Sequence, residues 1–424
     1  MAARELDIVV FGATGFTGAR VAEELLAKAA AASPPLRVGL AGRGEAKLRA
    51  LAQRMPGGGG AAILAGVDVS DPESVARMAA ATRVLVNCVG PYRFYGEPVF
   101  KAAAEAGTDY LDLCGEPEFI ERMELDYGPS AAASGALMAC AAAFDSVPND
   151  LGTVLAGRAF AAPAVPCSVE SVIRVRAPKG LPIHFATWES AVHGIGSADE
   201  LRALRARAKA AGRAAPPKPP GPRPGGPAGP SWDPSLEAYT LPFPGADASV
   251  VRRTQAALAA AGERPVHFAA RFAAPGAYYA AVAVGVGGAL MGLAKVAWGR
   301  ALLLRYPGLF SYGLVSHEGP TQEQMESAQC EVILSAKGYN APPADPKAAP
   351  DMRLTLTIGM GDPGYLFTAK MISSAAITLL QERAAALASV GGAGGVFTAG
   401  FLFRDTGLVE RLKRDGMRFE VTRE

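Results

Sequence analysis

The chain has 424 residues, half of them apolar, with 42 Lys and Arg against 40 Asp and Glu and a formal net charge of +2. That length and apolar content suit two or three domains with sizeable cores and exclude a disordered or fibrous chain, while the balanced charge gives no ground for a nucleic-acid partner. Cys88, Cys114, Cys140, Cys167 and Cys330 are odd in number and lack CxxC spacing, which speaks against a disulfide framework or a metal site and for a reducing compartment.

An apolar run begins by about Leu6, so no room is expected for a cleavable presequence in the sequence as given, although one already removed stays open. The run meets Phe11-Gly12-Ala13-Thr14-Gly15-Phe16-Thr17-Gly18 and then a helical pattern. Strand, glycine turn and helix are how a dinucleotide site begins. Gly12 takes the positive φ of the tight turn, Gly15 admits a pyrophosphate to backbone N–H groups, and Gly18 lets the helix pack on the strand. Thr14, Phe16 and Thr17 complete the cofactor-binding turn at the helix's positive N-terminus. A structural surface turn is the bland alternative, but the flanks favour the nucleotide.

From residue 4 to 142, β-rich runs alternate with helical stretches, which predicts six parallel strands with helices on both faces. The second strand, 36–41, ends at Gly42-Arg43. An NAD site usually carries an acid there for the ribose 2′-OH, so Arg43 favours the 2′-phosphate of NADP; NAD is the alternative if nearby Glu45 serves the ribose. The third strand, 61–67, delivers Asp68 to the adenine edge. The fourth, 83–89, brings Asn87, Gly90 and Pro91 along the ribose and nicotinamide, with Gly90 permitting close backbone approach. The fifth, 110–113, leads to Cys114-Gly115-Glu116, and the sixth, 136–141, to Phe144-Asp145-Ser146.

Hydride transfer asks the protein mainly to orient the nicotinamide and to stabilise charge on the substrate, so the lack of a nucleophile elbow is no obstacle. Tyr95 is the first candidate proton donor, with Tyr92 and Glu116 competing; both phenols are also common packing residues. Cys114 reads as a small buried filler.

A connecting helix over 147–160 leads into a second α+β domain, whose strand-like segments 168–176, 266–274, 328–336 and 354–358 predict a mainly antiparallel sheet. Between them, 216–230 carries eight prolines in fifteen residues, too few apolar side chains to pack and too few N–H donors to pair, and is expected as an exposed mobile insertion spanning 212–230. Arg202, Arg205, Arg207, Lys209, Arg213, Lys218 and Arg223 form a basic run around it, by default a solvated face. The segment 272–294 is free of charge and is followed by Lys295, Trp298, Arg300 and Arg305. Pro275 and five glycines weaken a spanning helix, so 272–304 is expected as an interfacial or re-entrant hairpin, with a buried core helix as the alternative. A further helix over 365–387 precedes the cluster 391–395, a short helix over 406–414 and a strand over 417–421.

Phe11 to Gly18, Asn87 to Tyr92, Asp109 to Glu116, Phe144 to Asp150 and Gly394-Gly395-Val396-Phe397-Thr398 together resemble the saccharopine dehydrogenase-like oxidoreductase family, across nearly the whole chain. The resemblance implies a nicotinamide cofactor, association with membranes or lipid droplets and a poorly defined substrate. Related bacterial members are described as trans-acting enoyl reductases acting on lipid-linked polyketides, and the more distant saccharopine enzymes reduce or form a C–N bond. It also implies that the tail returns to the first domain, giving 1–145 as a Rossmann-type doubly wound α/β domain, 146–370 as the second domain and 371–424 as the returning segment.

Two functions of different classes follow. One is an NADP-dependent oxidoreductase transferring hydride to a hydrophobic or lipid-linked C=C or C=N substrate on the cytoplasmic face of a membrane or on a lipid droplet. The other is a non-catalytic nucleotide-binding scaffold or interaction protein of the same surfaces. The glycine turn serves both equally, and polar groups converging on the nicotinamide would favour the enzyme. The substrate, the organelle and the oligomeric state are open, a homodimer included.

Overall fold

Apolar runs become strands and the amphipathic stretches between them become helices, as the alternation predicts. The computed structural model describes residues 4–212, 218–345 and 348–423; Arg213 and the start of the proline-rich stretch lie outside the described residues. In chain order the strands are β1 (Leu6–Phe11), β2 (Val38–Gly42), β3 (Ala62–Ala65), β4 (Thr82–Asn87), β5 (Asp109–Asp112), β6 (Leu137–Cys140), β7 (Val165–Arg176), β8 (Ile183–His184), β9 (Ser231–Asp233), β10 (Ala238–Pro242), β11 (His267–Ala274), β12 (Val315–Ser316), β13 (Gln329–Tyr339), β14 (Met352–Met360), β15 (Gly395–Thr398) and β16 (Arg418–Arg423). Two compact units divide them, the first holding Met1–Cys114, Phe119–Val147 and Pro363–Gly416, the second Gly115–Glu118, Pro148–Asp362 and Met417–Glu424.

The first unit is built on a parallel sheet in the order β15-β6-β5-β4-β1-β2-β3. Ile8, Val9 and Val10 are wholly buried, as a central strand covered on both faces requires, and this is why β1 reads as an unbroken apolar run. The chain runs outward through β2 and β3, then crosses to β4 on the other side of β1, so the strand order reverses between β1 and β4. Ligands of such sheets sit beyond the carboxyl ends of the strands at that reversal.

Six strands were expected here and seven are present, because β15 pairs with β6. Helix Leu366–Gln381 is buried along nearly its whole length and packs on helix Phe16–Ala31, where Lys28 Nζ donates to Ser374 Oγ at 2.8 Å and to Asp415 Oδ2 at 2.7 Å. Near the sheet's amino end Arg383 donates to the Asp109 carboxylate at 2.7 Å. The returning segment therefore starts at Pro363 rather than 371. It also ends at Gly416, since β16 pairs with β14 in the other unit's sheet.

The second unit has a sheet in the order β16-β14-β13-β7-β11-β10-β9, antiparallel except for the β7–β11 pair. Period-two burial fixes its inner face: Cys330, Val332, Leu334 and Ala336 of β13 are buried beside Leu354, Leu356 and Ile358 of β14. Helix Val147–Arg158 lies against them through Gly152, where an added Cβ would meet Ile358 Cδ1 at 2.9 Å. The outer strand β16 reads Arg-Phe-Glu-Val-Thr-Arg, a charged edge of the kind that resists pairing with another chain.

The proline-rich stretch departs from the expected mobile insertion over its described part. Arg271 of β11, 4% exposed, donates to the carbonyls of Pro227 (3.2 Å), Gly229 (3.4 Å) and Thr240 (2.8 Å) and to Ser231 Oγ (3.0 Å). His267 hydrogen-bonds the backbone of Pro219 and Gly221. Side chains of the sheet supply the donors for a segment that lacks partners of its own, a long-range arrangement that composition does not register. Replacing Arg271 by Met should leave those carbonyls unmatched and cost about 3 kcal/mol in urea unfolding. The backbone amides of residues 221–231 should also exchange faster; unchanged exchange would mean the segment is held by something other than Arg271.

Candidate functional site

The glycine turn assigns each glycine a different task. Gly12, at the end of β1, has φ +80°, and its N–H donates to the Ala41 carbonyl at 3.0 Å, tying the turn to β2. An added Cβ on Gly18 would lie 2.1 Å from the Gly12 carbonyl oxygen, so helix Phe16–Ala31 touches the turn with no room for a side chain. Gly15 is different: a Cβ there meets only the Gly12 oxygen, at 3.3 Å, and the residue is exposed. The fold thus demands glycine at 12 and 18 but has little need of it at 15, where the space left open is the one a pyrophosphate would occupy.

Gly15 also caps the helix with extended backbone, no capping side chain and no acid in the first turn, which leaves the N-terminal N–H groups for an anion. Thr14 is exposed, and Phe16 and Thr17 are half-buried. The Phe16 ring is held edge-on to Tyr365 at 5.0 Å, with the Arg20 guanidinium 3.9 Å from its centre, so Phe16 would meet a cofactor through its backbone.

At the adenosine end Arg43 is exposed just past β2. Glu45, the alternative ribose partner, is engaged with Arg49 at 2.7 Å. Asp68 accepts from Ser70 N at 2.9 Å and Ser70 Oγ at 2.7 Å; these bonds, with the Arg43 charge, hold its carboxyl below the ordinary value.

Beyond β4 the structure separates the candidates. Asn87 is fully buried; its Oδ1 accepts from Val89 N at 3.0 Å and its Nδ2 donates to Tyr110 Oη at 3.0 Å, so the side chain shapes the turn from within. Gly90 is exposed and Pro91 caps helix Tyr92–Ala106. The Tyr92 hydroxyl donates to the Asn87 carbonyl at 2.8 Å and accepts from Leu113 N at 3.1 Å, and burial pushes its pKa well above the usual value. A phenol so placed fastens β4 to β5 and is a poor proton donor. Tyr95, one turn along the same helix, is 43% exposed. Glu116 is buried and belongs to the second unit.

Sequence reasoning missed a buried network beneath this turn. Tyr110 Oη donates to Asp112 Oδ2 at 2.9 Å, while Asp112 Oδ1 accepts from Cys114 N at 2.9 Å and Ala141 N at 3.0 Å, so Asn87, Tyr110 and Asp112 join the ends of β4, β5 and β6. Burial pushes the Asp112 carboxyl up to about 6 despite these donors. The signal was present, since Asp112 ends a strand that is otherwise apolar after Asp109 and faces no solvent. A cavity of about 600 Å³ lies at the opposite, amino end of the same sheet, near Arg4, Arg83, Asp109 and Arg383. Its Arg383 is already paired with Asp109, and its position opposes where such sheets bind cofactor.

Comparison with known proteins bears on this site. Residues 8–138 match the saccharopine dehydrogenase NADP binding domain, so the first unit is an NADP-binding domain. The chain is 35% identical to the saccharopine dehydrogenase-like oxidoreductase of Rattus norvegicus, over 99% of this chain and 97% of that one. It is 30% identical to the lipid droplet localized protein of Caenorhabditis elegans, over 99% and 98%. Among solved structures, apo saccharopine dehydrogenase (L-Glu forming) from Saccharomyces cerevisiae superposes with a TM-score of 0.55 at 14% identity, over 99% of this chain and 100% of that one, a likeness of fold.

Calorimetry should find NADPH bound more tightly than NADH, with Arg43→Ala weakening NADPH by about tenfold or more and NADH little. Gly15→Val should stay folded and bind neither, whereas Gly18→Ala should lose about 2 kcal/mol of stability through overpacking. Normal binding by folded Gly15→Val would make the turn purely structural. The Asp112 carboxyl is raised on folding, so the stability it contributes is full below about pH 4 and is lost as pH rises through about 6. Relative to Asp112→Asn, unfolding free energy should fall by roughly 3 kcal/mol across that window. Parallel pH profiles of the two proteins would contradict this.

Proposed function

Because the chain belongs to the saccharopine dehydrogenase-like oxidoreductase family and carries its NADP-binding domain, we propose that it transfers hydride to a hydrophobic or lipid-linked C=C or C=N substrate at a lipid surface. Bound NADPH supplies the hydride, and the turn Gly12–Gly18 and Arg43 bind it by its phosphates. Reduction also needs a proton, and of the two phenols past β4 the exposed one, Tyr95, is our candidate donor, with Glu116 as an alternative; the Tyr92 hydroxyl is committed within the fold.

The observation that carries the lipid-surface reading is helix Ala277–Leu293 of the second unit. It has seventeen residues and no charge, yet among them only Ala280 is buried. A helix apolar all round is normally buried in a core or in lipid. At about 1.5 Å per residue it is too short for a bilayer core of about 30 Å, and among the described residues no helix is long and apolar enough to cross a membrane. Tyr278, Met291, Trp298, Leu309 and Tyr312, on this helix and the short helices and turn that follow, are each more than half exposed. Ala294, Leu303 and Trp188 anchor these helices beneath, so the apolar side chains are displayed on a packed base. Lys295 and Arg305 are exposed among them and suit headgroups. The name of the Caenorhabditis elegans relative accords with a lipid-droplet surface.

The test is NADPH oxidation with hydrophobic enones and imines, offered in solution and in phospholipid-coated droplets. Turnover should be faster with droplets. Tyr95→Phe should slow it by about 10²-fold or more while cofactor affinity is kept, and Trp298→Asp with Leu309→Asp should abolish droplet flotation. Cofactor binding with no turnover across the panel would favour the scaffold, and a protein that never floats with droplets would end the lipid-surface reading.

A further inference from the structure

On the premise that helix Ala277–Leu293 meets lipid, we infer that the lipid is an anionic phospholipid surface, recognised by Lys295 and Arg305. One stripe of the helix is exposed from end to end. Ala277, Ala281, Val284, Gly288 and Met291 follow one another at alternating steps of four and three, the period of a single helix face, and the next step along it is the exposed Lys295. Ala283, Val286, Leu290 and Leu293 occupy the other side, where they pack on the clusters around Leu241 and Trp188.

Helix Ala297–Arg305 repeats the pattern. Its Trp298, Ala301 and Arg305 are exposed at steps of three and four, while Gly299 and Leu303 are buried. Each apolar stripe therefore ends in a cation at or just past a helix C-terminus, where the dipole favours positive charge. Neither the Lys295 ammonium nor the Arg305 guanidinium has an ion pair or hydrogen bond among the described residues.

Negative charge is scarce around them. The sequence holds no Asp or Glu from Arg264 to His317. Of the elements that pack most on these two helices, namely helix Phe185–Gly196, β10, β11 and helix Pro307–Phe310, only the first carries a carboxylate, the half-buried Glu189. An apolar face whose own charges are cations is complementary to an apolar phase topped by anionic headgroups. The stripes enter the acyl boundary, and the long Lys and Arg stems carry their charge back to the phosphates. A second copy of this chain fits less well, since a two-fold contact through the face would bring the same unanswered cations together.

The experiment mixes the full chain, saturated with NADPH, with vesicles of phosphatidylcholine alone and of phosphatidylcholine with phosphatidylglycerol, and reads binding by flotation across a salt series. Binding to the phosphatidylglycerol vesicles should be tighter by about tenfold or more at low salt, and the difference should shrink as salt rises. Each neutralised cation should remove about fivefold, so Lys295→Gln with Arg305→Gln should lose most of the preference while keeping its binding to phosphatidylcholine and to NADPH. Equal binding to the two kinds of vesicle overturns the inference and leaves a lipid surface of neutral headgroups. A preference unchanged in the double variant also overturns it, because other cations would then carry it. A protein that binds neither vesicle takes the lipid-surface reading down as well. So does a dimer in lipid-free solution that Trp298→Asp dissociates, which would give the face to a second copy.

Discussion

The backbone contact between Gly12 and Gly18 is the constraint on which the first unit depends. A side chain at position 18 would stand 2.1 Å from the Gly12 oxygen, so the helix that follows β1 can begin where it does only because that atom is missing. Its N-terminus then opens beyond the carboxyl end of β1, next to the reversal of strand order between β1 and β4. Close packing and anion binding are thus one geometric fact. The helix must approach to cover the strand, and its approach leaves the first-turn N–H groups facing outward at Gly15.

The ends of β4, β5 and β6 are fixed by a second device. Asp112 is a carboxyl in a fully buried place, held by backbone donors from two segments and by Tyr110, and its raised pKa shows that burial outweighs those bonds. A buried charge is weak evidence for stability, but its demands are directional. Backbone N–H groups at Cys114 and Ala141 must converge on one oxygen, and the Asn87 amide must meet the Tyr110 hydroxyl, or the cost rises. With Tyr92 bridging the Asn87 carbonyl and Leu113, the turn past β4 rests on a floor whose geometry is set before any ligand arrives.

Much of the first unit was legible because its signals are local. A strand buried on both faces leaves an apolar run, a turn that admits no side chain leaves glycine, and β1 to β6 fall within a few residues of their expected places. The second sheet and its mainly antiparallel order were legible for the same reason, from alternation in β7, β11, β13 and β14. What the sequence hid were partnerships over long separations. The pairing of β15 with β6, the transfer of β16 to the other unit's sheet and the hold of Arg271 on the proline-rich stretch each join residues more than forty positions apart, and periodicity carries no information about them. Tyr92 illustrates the same limit at a site. Its position past β4 suggested chemistry, and only the two hydrogen bonds show that the hydroxyl is engaged within the fold.

The apolar helix Ala277–Leu293 sets a separate energetic problem. An interior helix recovers the cost of ordering its side chains by removing them from water, yet here Tyr278, Tyr279, Val284 and Met291 are half or more exposed. Each side chain of this size would gain on the order of 1–2 kcal/mol if covered. Packing beneath the helix, through Ala280 against Leu241 and Ala274 and through Val286 and Leu290 against the cluster around Trp188, is enough to hold one side of it. Its glycines at 285, 287, 288 and 292 meet nothing within 4 Å, so close approach of another element does not explain them. Glycine costs a helix about 1 kcal/mol relative to alanine, and four glycines within this one helix describe an element whose own propensity is low. Such a helix draws its stability from what covers it. The packed base orients it, and the proposed lipid surface would supply the cover that its exposed apolar side lacks.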